Sequence, residues 1–209
     1  RNFKLTRMNL GGFISAAVLL TLMPGPDILF VITQGVTRGR KAAVVFAAGL
    51  CTGLLFHIAA VTLGVSALVA GSDIAFTVFK FAGAAYLIGL GVKAFFNRNR
   101  VELRFTEEGK HTLQLYKRGI LMNILNPKVI LFFLAFFPQF IDIRQGDPII
   151  QMLVLGGVFI VQALVVFSAV AVLADRLSAG FMKNPGVAYW MNWAEVVIYT
   201  AIGISIFFI

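Results

Sequence analysis

The sequence predicts an all-α membrane protein of six transmembrane helices, arranged as two inverted three-helix repeats with proline-broken helices 1 and 4. Three observations carry this. Of the 209 residues, 59% are hydrophobic and 13% charged, against about 45–50% and about 25% in soluble domains, and mean hydropathy is +0.91. The apolar residues fall into six runs, 10–37, 42–70, 74–96, 119–141, 149–174 and 188–209. Each reaches the roughly 20 residues that cross a hydrocarbon core of about 30 Å. Runs one and four share a proline-centred pattern. Continuous runs of helical length favour a bundle over a barrel, whose strands would alternate.

The elements follow in order. Run one carries Pro24-Gly25-Pro26. It is too long for a cleavable signal segment, and a basic loop and a second apolar run follow it directly. Run two contains no proline and places Gly49, Gly53 and His57 at four-residue spacing on one helix face, a pattern that lets helices approach closely. Run three holds Lys80, which can snorkel to an interface, and Gly83, Gly89 and Gly91 at packing positions. Residues 97–116 read as one charged, solvated loop with no phosphate-loop or ligand spacing. Run four carries Asn126-Pro127-Lys128, run five is apolar almost throughout, and run six opens with Tyr189, Trp190 and Trp193, an aromatic belt. The chain 1–209 is one transmembrane domain, with repeat one at about 8–96 and repeat two at about 112–209.

Charge sets the orientation. The net charge is +9, from 18 Lys+Arg against 9 Asp+Glu. The basic residues lie between apolar runs, which argues against nucleic-acid binding and for cytoplasmic loops. The connections after runs one, three and five carry Arg38, Arg40, Lys41, then Lys93, Arg98, Arg100, Arg104, Lys110, Lys117, Arg118, then Arg176 and Lys183. The other side has Arg144 with Arg1, Lys4 and Arg7. The positive-inside rule then places both termini outside the cytoplasm. The basic start runs against that rule, unless Met8 is the initiator and 1–7 an extension. One cysteine, Cys51, excludes a disulfide scaffold.

The repeat is the most informative feature. Met23-Pro24-Gly25-Pro26-Asp27-Ile28-Leu29-Phe30 aligns with Leu125-Asn126-Pro127-Lys128-Val129-Ile130-Leu131-Phe132 when Pro26 is set on Pro127. Each proline is followed by a charge, then by large apolar residues. With three spans per half, equivalent halves insert with opposite topology, the plan of secondary transporters. Proline removes a backbone donor and clashes with the preceding turn. The freed groups inside a membrane must find protein, water or ligand partners. Asp27 and Lys128 are each costly at a span centre, about 2.5–3.5 kcal/mol on insertion scales, and intramembrane charges default to function. A structural ion pair that only neutralises both is the alternative, and the two roles are compatible.

These stretches resemble the LysE/RhtB family of amino-acid exporters. The match runs through Leu22-Met23-Pro24-Gly25-Pro26-Asp27, then Gly35-Val36-Thr37-Arg38-Gly39-Arg40-Lys41-Ala42. It continues in Gly49-x3-Gly53-x3-His57, Ala82-Gly83-Ala84-Ala85-Tyr86-Leu87-x2-Leu90-Gly91 and Asn123-x2-Asn126-Pro127-Lys128 followed by 132–139. It covers about 10–141 in family order. The resemblance implies a multi-pass protein of the bacterial inner membrane that exports amino acids or close analogues from the cytoplasm, driven by the proton gradient.

A substrate site between helices 1 and 4 would then use Pro24, Gly25, Pro26, Asp27, Asn123, Asn126, Pro127 and Lys128. Lys128, with a half-helix N-terminus, would hold the α-carboxylate, and Asp27, with freed carbonyls, the α-ammonium. Asp27, His57 and Glu195 are the candidates for proton coupling. His57 can act as a proton relay, since histidine's reference pKa is near neutrality, but can equally be a helix-to-helix hydrogen bond, and Glu195, about 10 Å into run six, can pair with Lys80. Gln34, Asn123 and Gln139 can hydrogen-bond substrate or hold helices together. No cofactor and no metal is implied, since no histidine or cysteine partner completes a site. The partners are an amino acid, protons and the lipid bilayer, and the glycine-rich faces permit a homodimer. The alternatives are an exporter of divalent cations or other small solutes on the same fold, a membrane-embedded enzyme, and a structural scaffold. A divalent-cation site would want clustered carboxylates or carbonyls. An enzyme would want a paired-histidine motif, serine elbow or carboxylate dyad in a span.

Overall fold

The computed structural model describes residues 10–69, 112–142 and 146–176, with isolated helical positions in 81–96 and 186–204. Among the described residues there is helix and no strand. The elements are α1 (Leu10–Leu22), α2 (Pro26–Arg38), α3 (Arg40–Val69), α4 (Thr112–Ile124), α5 (Pro127–Leu131) and α6 (Pro148–Asp175). After α5 the chain continues through a π turn, Phe132–Phe136, and a 3₁₀ turn, Phe137–Phe140.

Runs one and four are broken where their prolines stand. α1 and α2 meet at 58°, and α4 meets the Pro127–Phe140 segment at 47°. Pro26 and Pro127 each occupy the first turn of the following helix, where the missing N–H is no loss. Runs two and five, without internal proline, form unbroken helices long and apolar enough to cross a membrane: 25 residues at Arg40–Gly64 and 28 at Pro148–Asp175. The described residues therefore contain two helices long and apolar enough to cross a membrane, or four such segments if each bent pair is one. Runs three and six, with Lys80 and Glu195, lie largely outside the described residues.

The charged loop is shorter than the sequence suggests. Residues 112–116 belong to α4, because Leu115 is buried and the Tyr116 hydroxyl lies 2.8 Å from Thr52 Oγ1 on α3. α3 packs on α2, α4 and α6, and α6 also packs on α1 and α2. The Gly49, Gly53 and His57 stripe is the α4-facing side of α3. A Cβ at Gly49 would overlap the Tyr116 carbonyl, and one at Gly53 would press on Asn123. Gly119 returns the fit, since a Cβ there would strike the Phe46 carbonyl. The phenylalanines divide between core and surface. Phe13, Phe46, Phe132, Phe133 and Phe137 are fully buried, whereas Phe56 is exposed. Tyr189 and Trp190 are exposed.

The turns have local causes. α6 begins at Gly146-Asp147-Pro148, where the Asp147 carboxylate accepts from the Ile149 N–H at 2.8 Å, a cap bond. Gln151 fastens the preceding segment by accepting from the Asp142 N–H and donating to its carbonyl. α2 ends at Gly39, with φ +82° and ψ 168°. That region belongs almost wholly to glycine and costs other residues about 1–3 kcal/mol. Gly39→Val is expected to destabilise by that amount, read as a lowered thermal midpoint in detergent. An unchanged midpoint would contradict the strain.

Candidate functional site

The two breaks come together. Lys128 Nζ lies 2.9 Å from Asp27 Oδ1 and donates a second bond, 3.1 Å, to the Met23 carbonyl. The side chains are 1% and 2% exposed. The sequence separation of this pair, 101, is the offset that aligns Pro26 with Pro127. Asp27 stands eleven residues before Arg38 on α2, about 16 Å along the axis, roughly half a hydrocarbon core.

Helix ends explain the pairing. α1 stops at Leu22, and the Met23 carbonyl just beyond it faces Lys128. A C-terminal end favours a cation. α2 starts at Pro26, so Asp27 sits in its first turn, where the dipole favours an anion. Lys128 is itself in the first turn of α5, where a cation is disfavoured, so Asp27 and Met23 offset a local cost. Gly25 makes the approach possible: a Cβ there would lie 3.0 Å from Asp27 Oδ1 and 3.2 Å from Lys128 Nζ.

Asn126 caps α5, its Oδ1 accepting from the Lys128 N–H at 3.1 Å. Its Nδ2 is buried without a partner. Asn123 is 1% exposed and its Oδ1 is unpartnered. His57 Nε2 lies 3.1 Å from the Asn123 carbonyl. A carbonyl only accepts, so Nε2 carries the hydrogen. The imidazole also stacks on Phe133 at 5.6 Å. His57 therefore makes the helix-to-helix bond, beside the break in run four.

Asp27, Lys128 and Asn123 line one hollow with Thr21, Leu20, Leu54, Val129, Phe159 and Phe167. Its volume is about 10 Å³, room for about one water and far below the roughly 300–1,000 Å³ of ligand pockets. The conformation is closed on the ion pair. Pro24 and Gly25 are buried in the first break, while Pro26 and Pro127 are exposed on the outer side of theirs. The structure thus gathers Gly25, Asp27, Asn123, Asn126 and Lys128, and places His57 one hydrogen bond away. Glu195 is outside the described residues.

Two polar residues escaped the sequence reading. Thr21 lines the hollow and donates to the Ala17 carbonyl at 2.8 Å. Gln162 on α6 donates to Thr21 Oγ1 at 3.0 Å, and its own Oε1 is buried without a partner. The available signal was a glutamine inside an otherwise apolar span, which is costly unless partnered. Among the described residues, no three His, Cys, Asp or Glu side chains gather as metal ligands.

The model of the family "LysE type translocator" matches residues 18–208, reaching well past the motif-bearing part of the chain. The homoserine/homoserine lactone efflux protein of Salmonella typhimurium is 36% identical over 191 residues, 91% of this chain and 92% of that protein. A membrane protein of Vibrio cholerae is 36% identical over 182 residues, covering 86% and 87%. The leucine efflux protein of Salmonella typhimurium is 30% identical over 156 residues, 71% of each chain. No solved structure matches. With a family match across almost its whole length, and with broken membrane helices that bury an acid against a base, the chain belongs to the LysE type translocators.

Proposed function

We propose that the chain is a secondary active exporter of amino acids or close analogues from the cytoplasm, working by proton antiport with alternating access around the Asp27–Lys128 pair. Family membership makes it a membrane transporter and not an enzyme. Relatives named for efflux of homoserine and leucine support an amino acid as the solute. The observation that carries the mechanism is the buried pair at the meeting of two broken helices.

A zwitterion is the natural exchange partner of such a pair. Pulling Asp27 from Lys128 would strand two buried charges, which is strongly destabilising. A bound amino acid removes that obstacle. Its ammonium takes Asp27 and its carboxylate takes Lys128, so each protein charge stays paired as the hollow widens. The unpartnered Asn123 Oδ1 supplies one further acceptor. Outward opening then exposes Asp27, whose protonation weakens its hold on the ammonium and favours release. Loss of the proton to the cytoplasm resets the pair. His57, held by the Asn123 carbonyl, and Glu195 are the other groups able to carry the proton.

The inverted-repeat arrangement fits this cycle. The basic C-terminal end of α2 and the starts of α3 and α4 share one groove. α2 therefore runs towards that side and α4 away from it. We assign that side to the cytoplasm and both termini to the outside. A divalent-cation exporter is the alternative, but one carboxylate beside an ammonium is a poor donor set for a hard cation.

Proteoliposomes preloaded with leucine or homoserine test the reading. Efflux is expected to accelerate when the outside is made acidic. An export rate indifferent to the gradient would remove antiport, and export of no amino acid across a full screen would remove the function.

A further inference from the structure

A second polar constellation lies between the basic end of the bundle and the ion pair. The guanidinium of Arg118 on α4 sits 4.3 Å from the Phe30 ring centroid, and Phe30 on α2 lies against Phe46 of α3, ring centroids 4.5 Å apart and planes tilted by 38°. Three helices are thus joined through one ring. Among the described residues Arg118 makes no ion pair. One turn beyond Phe30 on α2 is Gln34, 4% exposed, with its Oε1 unpartnered. By helical spacing Asp27, Phe30 and Gln34 follow one another along one side of α2, from the ion pair towards Arg38.

Above this level the bundle opens. A groove of about 720 Å³ is lined by Arg38, Arg40, Lys41, Val45 and Leu115, among others. Leu115 stands one turn before Arg118 on α4, and Val45 directly precedes Phe46. The lining of the groove therefore comes within one helical turn of Arg118 and Phe46 along the chain. A cleft lined with one sign of charge concentrates oppositely charged groups, here carboxylates.

We propose that Arg118, Phe30 and Gln34 form a second, basic-side station for a carboxylate-bearing zwitterion, occupied before the solute reaches Asp27 and Lys128. This rests on the export reading above. A ring face is a weaker partner for a guanidinium than a carboxylate bonded through two parallel N–H groups. An arriving carboxylate therefore takes Arg118 from Phe30. The unpartnered Gln34 Oε1 accepts from the ammonium. Release of Phe30 loosens its contact with Phe46 and clears the way towards Asp27.

The test is export kinetics of full-length protein in liposomes, with leucine or homoserine, whichever it carries, as probe. The probe's carboxamide, which lacks the carboxylate, serves as competitor. Arg118→Gln is expected to raise KM from the basic side about tenfold, the loss of one charge-assisted hydrogen bond, with kcat within about twofold. Preference for the acid over the amide falls by a similar factor. Arg118→Lys keeps the charge but loses the fork and recovers only part of both. Gln34→Leu removes an atom that has no partner in the closed state, so it folds normally and also raises KM.

An unchanged KM with a lowered kcat in Arg118→Gln, or equal losses for acid and amide, would make Arg118 a structural contact and overturn the station alone. Wild-type export by Asp27→Asn alongside the KM shift in Arg118→Gln would overturn the ion-pair reading and leave the station standing. Export of no amino acid across a full screen by the wild type overturns both.

Discussion

Asp27→Asn and Lys128→Met, made singly, are expected to abolish export and to lower the yield of folded protein. Each strands a charge inside the bundle. Breaking a buried pair by removing one partner costs about 3–5 kcal/mol, a large share of the stability of an ordinary domain. The two variants are not equivalent. Asp27→Asn leaves the Lys128 ammonium with the Met23 carbonyl as its remaining strong partner, at the wrong end of the α5 dipole. Lys128→Met leaves a carboxylate in the first turn of α2, where the helix end favours it. Asp27→Asn is therefore the less stable variant by thermal unfolding in detergent. The reverse order would contradict the dipole argument, and normal export by both singles would remove the pair from transport.

Gly49→Leu is expected to have the second large effect. The α3–α4 contact is made backbone to backbone. A Cβ at Gly49 meets the Tyr116 carbonyl and lies about 3.1 Å from Gly119 Cα. A leucine has no rotamer that avoids rigid backbone, so the helices must separate. Overpacking typically costs about 1–3 kcal/mol, occasionally more, and backbone is the least yielding neighbour. The separation would also move Asn123, two turns further along the same seam, and weaken its bond to His57. Loss of stability together with export is the expected result. Gly64→Leu is the control, since a Cβ there meets nothing within 4 Å and stability should hold. Equal stability of the Gly49 and Gly64 variants would show that the seam is not tight.

How much of this was legible in the sequence depends on which physics was covalent. Proline breaks are local facts, so the bends after Leu22 and Ile124 could be placed before any packing was known. The shared offset of Pro26 and Pro127 singled out Asp27 and Lys128 as matching residues, each directly after its proline, and the structure brings them to 2.9 Å. The glycine stripe on α3 gave a face, though not the identity of α4 as its partner.

His57 was ambiguous because one histidine on a packing face reads equally as relay or tether. Only the neighbouring Asn123 carbonyl decides which bond it makes. Thr21 and Gln162 give no sequence signal of their own, because a single polar residue in an apolar run carries no period. The start of α4 was hidden by the charge of Lys110, Lys117 and Arg118, while the contacts of Leu115 and Tyr116 that make it helical are made with a distant helix. The smallness of the hollow was not legible at all, since it is set by Leu54, Phe159 and Phe167 arriving from other helices.

The central claim is that the pair serves the solute and not only the fold. The double variant Asp27→Asn/Lys128→Met separates these roles, because it removes both charges and strands neither. Replacing a buried ion pair by neutral groups is often close to neutral for stability. The account predicts that the double variant unfolds at or above the temperature of either single variant and exports no amino acid. A double variant that folds and exports like the wild type would show a purely structural pair and contradict it.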